Sequence, residues 1–194
     1  TDVMQGFQEA FGRLTEDRED NTCAGLKHDE LLVCSSAAGG LKMVALGLVP
    51  DLTAKAARTA ASNAGAKVVK TFAYEISGSE QQEIYDINPD LVLLCGGTDG
   101  GNKEVIIANA KHLVAIDRPF TTIVAGNKSA NDDIKAIFDE AGKDVVITAN
   151  VMPQFNKLNI EPARDAIRQL FISRIIEAKG LNTLQSMTPY KIIP

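Results

Sequence analysis

Between Leu52 and Thr148, apolar runs of strand length alternate with amphipathic runs of helical length, and that alternation leaves few architectures open. Leu52 to Ala64 is an Ala-rich helical stretch closed by Gly65. Lys67 to Tyr74 reads as a strand, and Ser79 to Ile87 as a short helix ended by Asn88-Pro89. Leu91 to Cys95 is a strand and Asn102 to Ala115 a helix. Phe120 to Ala125 is a strand, and Ala130 to Ala141 a helix closed by Gly142. Asp144 to Thr148 is the last strand of the series. Such a pattern predicts βα units, a mainly parallel sheet, right-handed crossovers and helices on both faces. The fold class is α/β, a three-layer Rossmann-like domain with an N-terminal hairpin and flanking helices.

The flanks have their own character. Asp2 to Leu14 places Val3, Met4, Phe7, Phe11 and Leu14 on one helical stripe. Glu30 to Ser36 and Leu41 to Val49 are apolar runs joined by Ala37-Ala38-Gly39-Gly40, which predicts a hairpin. After Asn150 an irregular stretch, Val151 to Asn159, leads into a long helix, Ile160 to Lys179, with Pro162 in its first turn. That helix either packs back on the sheet or joins a neighbouring domain. The expected division is 1–50 for the first helix and hairpin, 51–150 for the βα core, and 151–194 for the last helix and tail. The start at Thr1 and the apolar tail Ile192-Ile193-Pro194 suggest a piece of a longer chain.

Composition narrows the function classes. Of 194 residues 45% are apolar but only 5% aromatic, with no Trp, so Val, Ile, Leu and Ala must fill the core. A net charge of −5 gives no electrostatic ground for binding nucleic acid. No apolar run approaches the roughly 20 residues of a membrane span. Cys23, Cys34 and Cys95 show no C-x-x-C spacing, which argues against a zinc site or a disulfide framework and for a reducing, cytoplasmic setting. His28 and His112 lie far apart, with no metal-binding spacing and no nucleophile suggested beside them.

One loop stands out. The strand Leu91 to Cys95 stops at Gly96-Gly97-Thr98-Asp99-Gly100-Gly101-Asn102-Lys103 and a helix follows. α/β folds place ligands where a buried strand ends in such a loop. Glycines let backbone N–H groups approach an anion, and a helix N-terminus adds partial positive charge. The alternative is a glycine-rich turn with an Asn cap and no ligand. The loop matches neither G-x-G-x-x-G nor G-x-x-x-x-G-K-[ST]. Asp99 either holds Mg²⁺ through water or stabilises the turn.

A second loop repeats the first: Gly126-Asn127-Lys128 follows a strand as Gly101-Asn102-Lys103 does. Parallel strands would bring both to the carboxyl edge of the sheet, where Thr148-Ala149-Asn150 also ends.

The runs CSSAAGGLKMVALGLVPDLTAKAARTAASNAGAKVV, PDLVLLCGGTDGGNKEVIIANA, VAGNK and NVMP…LNIEPARDAI resemble the MutL/GlmL family. That family comprises accessory proteins encoded beside adenosylcobalamin-dependent mutases such as glutamate mutase, and is unrelated to the mismatch-repair protein of the same name. The resemblance covers the whole chain. It implies an actin-like ATPase that uses ATP and Mg²⁺ to reactivate a mutase by releasing damaged cobalamin. The phosphate loops of that superfamily, resembling D-I-G-S-T and D-I-G-G-A-T-T-D, do not occur here. The resemblance therefore implies an internal part of the longer protein and assigns no catalytic residue to this chain. Ala64 to Val69, Pro89 to Leu94 and Glu140 to Gly142 also resemble cobalamin-binding Rossmann-like domains, without the D-x-H-x-x-G motif whose His ligates cobalt.

The implied partner is a cobalamin-dependent mutase subunit, with no nucleic acid and no membrane, and homodimerisation left open. The implied role is mutase recognition or regulation. A small-ligand domain for nucleotide, phosphate or corrinoid, and a structural domain between ATPase lobes, are the alternatives.

Overall fold

A computed structural model describes residues 6, 9, 13, 31–34, 40–62, 64–178 and 190–193. Its elements run β1 (Leu31–Cys34), β2 (Leu41–Gly47), α1 (Pro50–Ala61), β3 (Ala66–Ala73), α2 (Gly78–Ile87), β4 (Leu91–Leu94), α3 (Glu104–Val114), β5 (Thr121–Val124), α4 (Asn131–Glu140), β6 (Val145–Ile147), α5 (Glu161–Ala178) and β7 (Tyr190–Ile193).

Five strands form one all-parallel sheet in the order β3-β2-β4-β5-β6. Counting strands of this sheet alone, the order is 2-1-3-4-5, that of the flavodoxin-like fold, and the chain reverses direction of winding between β2 and β4. Side chains alternate across the sheet. Met43, Ala45, Leu91 and Leu93 pack against α1 and α5 on one face. Val44, Leu46, Val92 and Leu94 pack against α2, α3 and α4 on the other. All eight are fully buried, and each contributes up to about 1.5–3 kcal/mol of burial where the side chain is large.

Local signals set the ends of the elements. Pro50 stands in the first turn of α1. Ser77 and Glu80 form a reciprocal capping box at the start of α2. Asn88, in the left-handed region at φ 48°, ends α2 ahead of Pro89. Gly65 turns at φ +85° between α1 and β3, and the Phe171 ring of α5 lies so close that a Cβ there would meet it at 2.4 Å.

The expected βα series is present, with ends shifted by no more than three residues, and Lys128–Ala130 adds a short 3₁₀ turn before α4. The hairpin is not. β2 pairs in parallel with β3 on one side and β4 on the other, whereas β1 pairs in parallel with β7. Both faces of β2 are apolar and buried, so it occupies the middle of the sheet and has no open edge left for β1. The apolar tail is strand β7.

Contacts divide the chain into two compact units, Ala38–Phe171 and a second formed by Thr1–Ala37 with Ile172–Pro194. The five-stranded sheet belongs to the first and the β1–β7 pair to the second. Of the expected N-terminal helix, Gly6, Glu9 and Arg13 are helical. The rest of it, Cys23, His28 and the turn at 35–39 lie outside the described residues.

Candidate functional site

The carboxyl ends of β2, β4, β5 and β6 meet at one edge of the sheet, and the two glycine loops lie there as expected. What they do differs from loop to loop. Asn127 is fully buried. Its Oδ1 accepts from the N–H of Gly100 and of Ser129, both at 3.0 Å. Its Nδ2 donates to the carbonyls of Gly101 at 3.0 Å and Asn102 at 3.2 Å. That is the full capacity of a side-chain amide. Asn102, its counterpart in the repeated tripeptide, is exposed; it accepts from the Val105 N–H at 3.3 Å and donates to Glu104 at 2.5 Å. Among the described residues the Asn102 side chain bonds only within the start of its own helix, whereas Asn127 both caps the 3₁₀ turn and clamps the neighbouring loop.

Asp99 is held in the same way. Its Oδ1 accepts from the Lys128 N–H at 3.1 Å and from Asn150 Nδ2 at 3.0 Å, and its own N–H donates to the Pro153 carbonyl at 3.1 Å. Asn150, also buried, donates to the Gly97 carbonyl at 3.0 Å and accepts from the Met152 N–H at 2.9 Å. Among the described residues there is no group of three His, Cys, Asp or Glu that could hold a metal ion.

Lys103 Nζ lies 3.5 Å from Asp133, both about half exposed. Gly97, at φ +71°, has no room for a side chain, since a Cβ would meet the Asn102 carbonyl at 2.2 Å. Gly101 and Gly126 are also tightly backed, by Thr98 and Ile106. These glycines serve the folding of the loop on itself.

Beside the loop, at the switch point between β2 and β4, lies a cavity of about 180 Å³. Leu48 and Val49 follow β2, and Leu52, Thr53 and Ala56 come from the first turns of α1. Cys95, Gly96, Gly97, Thr98 and Asn102 come from the glycine loop. Asn150, Val151, Met152, Phe155 and Leu158 complete it. Phe155 is 75% exposed and Val49 41% exposed, so both stand at its mouth. None of the lining side chains is ordinarily charged at neutral pH. Burial pushes the Cys95 thiol from an ordinary 9.0 up to about 12, and it donates to the Leu46 carbonyl at 3.2 Å. It is a packing group, not a nucleophile.

Gly96, Gly97, Thr98 and Asn102 of the expected set line this cavity; Asp99, Gly100, Gly101, Lys103, Gly126, Asn127 and Lys128 do not. Sequence reasoning missed Leu48, Leu52, Thr53, Met152, Phe155 and Leu158. The available signal was the run of apolar residues inside the irregular stretch after β6. His112 is in the last turn of α3, at the opposite end of that helix from the glycine loop, where Gln81 lies 3.1 Å from Nδ1 and Glu75 lies 3.3 Å from Nε2.

The topology and this crevice define a flavodoxin-like α/β domain with an uncharged, largely apolar pocket at the switch point. The chain belongs to the MutL protein family, whose family model matches residues 1–194. It is 48% identical over 194 residues to Protein MutL of Clostridium tetanomorphum, spanning all of this chain and 41% of that protein. Two solved structures are similar at lower levels. A short-chain flavodoxin associated with a non-canonical PDU bacterial microcompartment shares 14% identity at a TM-score of 0.45, covering 69% of this chain and 98% of its own. The signal receiver domain of a modulated diguanylate cyclase from Desulfovibrio desulfuricans G20 shares 12% at 0.41, covering 70% and 97%. No helix among the described residues is long and apolar enough to cross a membrane.

Proposed function

We propose that this chain is the recognition segment of an accessory, reactivating factor for a cobalamin-dependent mutase, and that it works through the carboxyl edge of its sheet. Family membership supports the accessory role. The observation that carries the choice of face is the uncharged cavity with Phe155 and Val49 exposed at its mouth. A large aromatic left mostly in water beside a concave apolar surface is the usual form of a recognition site. The polar loop residues Gly96 to Lys103 and Gly126 to Lys128 form the frame of that edge, because much of their hydrogen-bonding capacity is spent on one another.

A phosphate or nucleotide reading of the same loop finds less support. Asn127 takes the Gly100 N–H, the Thr98 carbonyl takes the Gly101 N–H at 2.9 Å, and Lys103 lies beside Asp133. In this reading ATP and Mg²⁺ belong to other parts of the longer protein.

Capture of purified mutase by the immobilised chain tests the proposal, with Phe155→Asp as the probe. Loss of capture at an unchanged melting temperature is the expected result. Equal capture by both proteins would move recognition to another face. Gly97→Asp is a poor probe, because the Asn102 carbonyl leaves no room for it.

A further inference from the structure

We propose that the switch-point cavity is the seat of one flat, neutral heteroaromatic ring of a small molecule, with a polar ring atom meeting the Thr53 hydroxyl. The inference rests on the reading of the carboxyl edge as the working face and names what that face takes in. Size comes first. An apolar cavity of about 150 Å³ holds a benzene ring, so about 180 Å³ takes one ring, with a fused or attached second ring reaching the mouth. Phe155 there offers a face for stacking, and the Met152 thioether a soft contact.

Charge comes second. The lining carries no ammonium, guanidinium or carboxylate, and the Cys95 thiol stays protonated. A phosphate or carboxylate entering it would lose its water without a cationic partner. The occupant is therefore neutral.

Thr53 supplies the third point. It lines the cavity and is only 6% exposed. A Cβ on Gly47 would lie 2.2 Å from its Oγ1, so the glycine is what makes room for this hydroxyl. Among the described residues the hydrogen bond Thr53 makes is that of its backbone N–H to the Val49 carbonyl at 2.8 Å, and its hydroxyl is not among the sealed, unpartnered atoms of the core. An occupant of hydrocarbon alone would leave it unpaired, at a penalty a ring nitrogen removes.

Indole titrated into the chain tests this directly. The chain has no Trp, so indole emission excited beyond the tyrosine band reports on the ligand alone. The expected result is a saturable blue shift, with binding weakened about fivefold in Thr53→Val and abolished in Ala56→Leu, which fills the cavity. Indene, the carbocyclic analogue, should compete less well than indole in the wild type and equally well in Thr53→Val. No saturable shift, or undiminished indole binding by Thr53→Val, would overturn the proposal. Displacement of indole by cofactor-free mutase would also overturn it, by assigning the cavity to a protein side chain. Mutase capture measured on the same samples separates the two readings: capture with no indole binding sinks the ring and leaves the recognition face standing.

Discussion

Asn127 holds Gly100 across the gap between two βα loops, its Oδ1 accepting the Gly100 N–H at 3.0 Å from 27 residues further along the chain. The same amide also secures Gly101, Asn102 and Ser129. Asn127→Ala removes all four bonds and leaves backbone groups of the glycine loop without partners. The expected loss is about 3 kcal/mol of stability in urea unfolding. Asn127→Asp should be nearly as damaging, since it sets an oxygen against the carbonyls of Gly101 and Asn102.

Gly65 lies under the Phe171 ring at φ +85°. Gly65→Ala adds a Cβ in an unfavourable backbone region and drives it into that ring. We expect a loss of at least about 2 kcal/mol, read as a lower denaturant midpoint. In a double-mutant cycle with Phe171→Ala the combined loss should be smaller than the sum of the two single losses, because the clash disappears while the backbone strain remains.

Cys95 makes stability depend on alkaline pH. Its folded-state value, about 12, lies above the ordinary 9.0 because burial disfavours the thiolate. The unfolded chain releases the proton first as pH rises. The contribution is therefore fully present below pH 9.0 and is lost progressively as pH climbs toward 12. Cys95→Ala should flatten that part of the stability profile. In the wild type, alkylation of this thiol at pH 8 should track unfolding.

The ion pair of Lys103 with Asp133 spans 3.5 Å at the surface. Lys103→Ala should change stability by less than about 0.5 kcal/mol. Calorimetry of the wild-type chain with Mg-ATP should give no binding heat; a saturable heat removed by Lys103→Ala would restore the phosphate reading of the loop.

Much of the fold from β3 to α5 was legible in the sequence because periodicity is a local property. Runs such as Leu91 to Leu94, and helix stops such as Asn88-Pro89, announce themselves within a few residues. Pairing is not local. An apolar run beside a Gly-Gly turn reads as half of a hairpin, whether its partner is the next strand or, as for β2, one that pairs Met43 with Leu91.

The two loops were legible as a pair at one edge because of their repeated Gly-Asn-Lys. Their unequal roles were not, since only packing buries Asn127 and exposes Asn102. The cavity was hidden for a related reason. Thr53, Cys95 and Leu158 come from three separate segments, and the last stretch, Val151 to Asn159, has no periodicity to mark it as part of a wall.

The central place of β2 has a consequence in time. On the ribosome this strand is made before either of its neighbours, and about 50 further residues must be added before β4 can cover its second edge. At typical synthesis rates that interval is roughly 3–10 s. Until then only β3 is at hand to pair with Met43-Val44-Ala45-Leu46, and the second edge of that ribbon has no native partner.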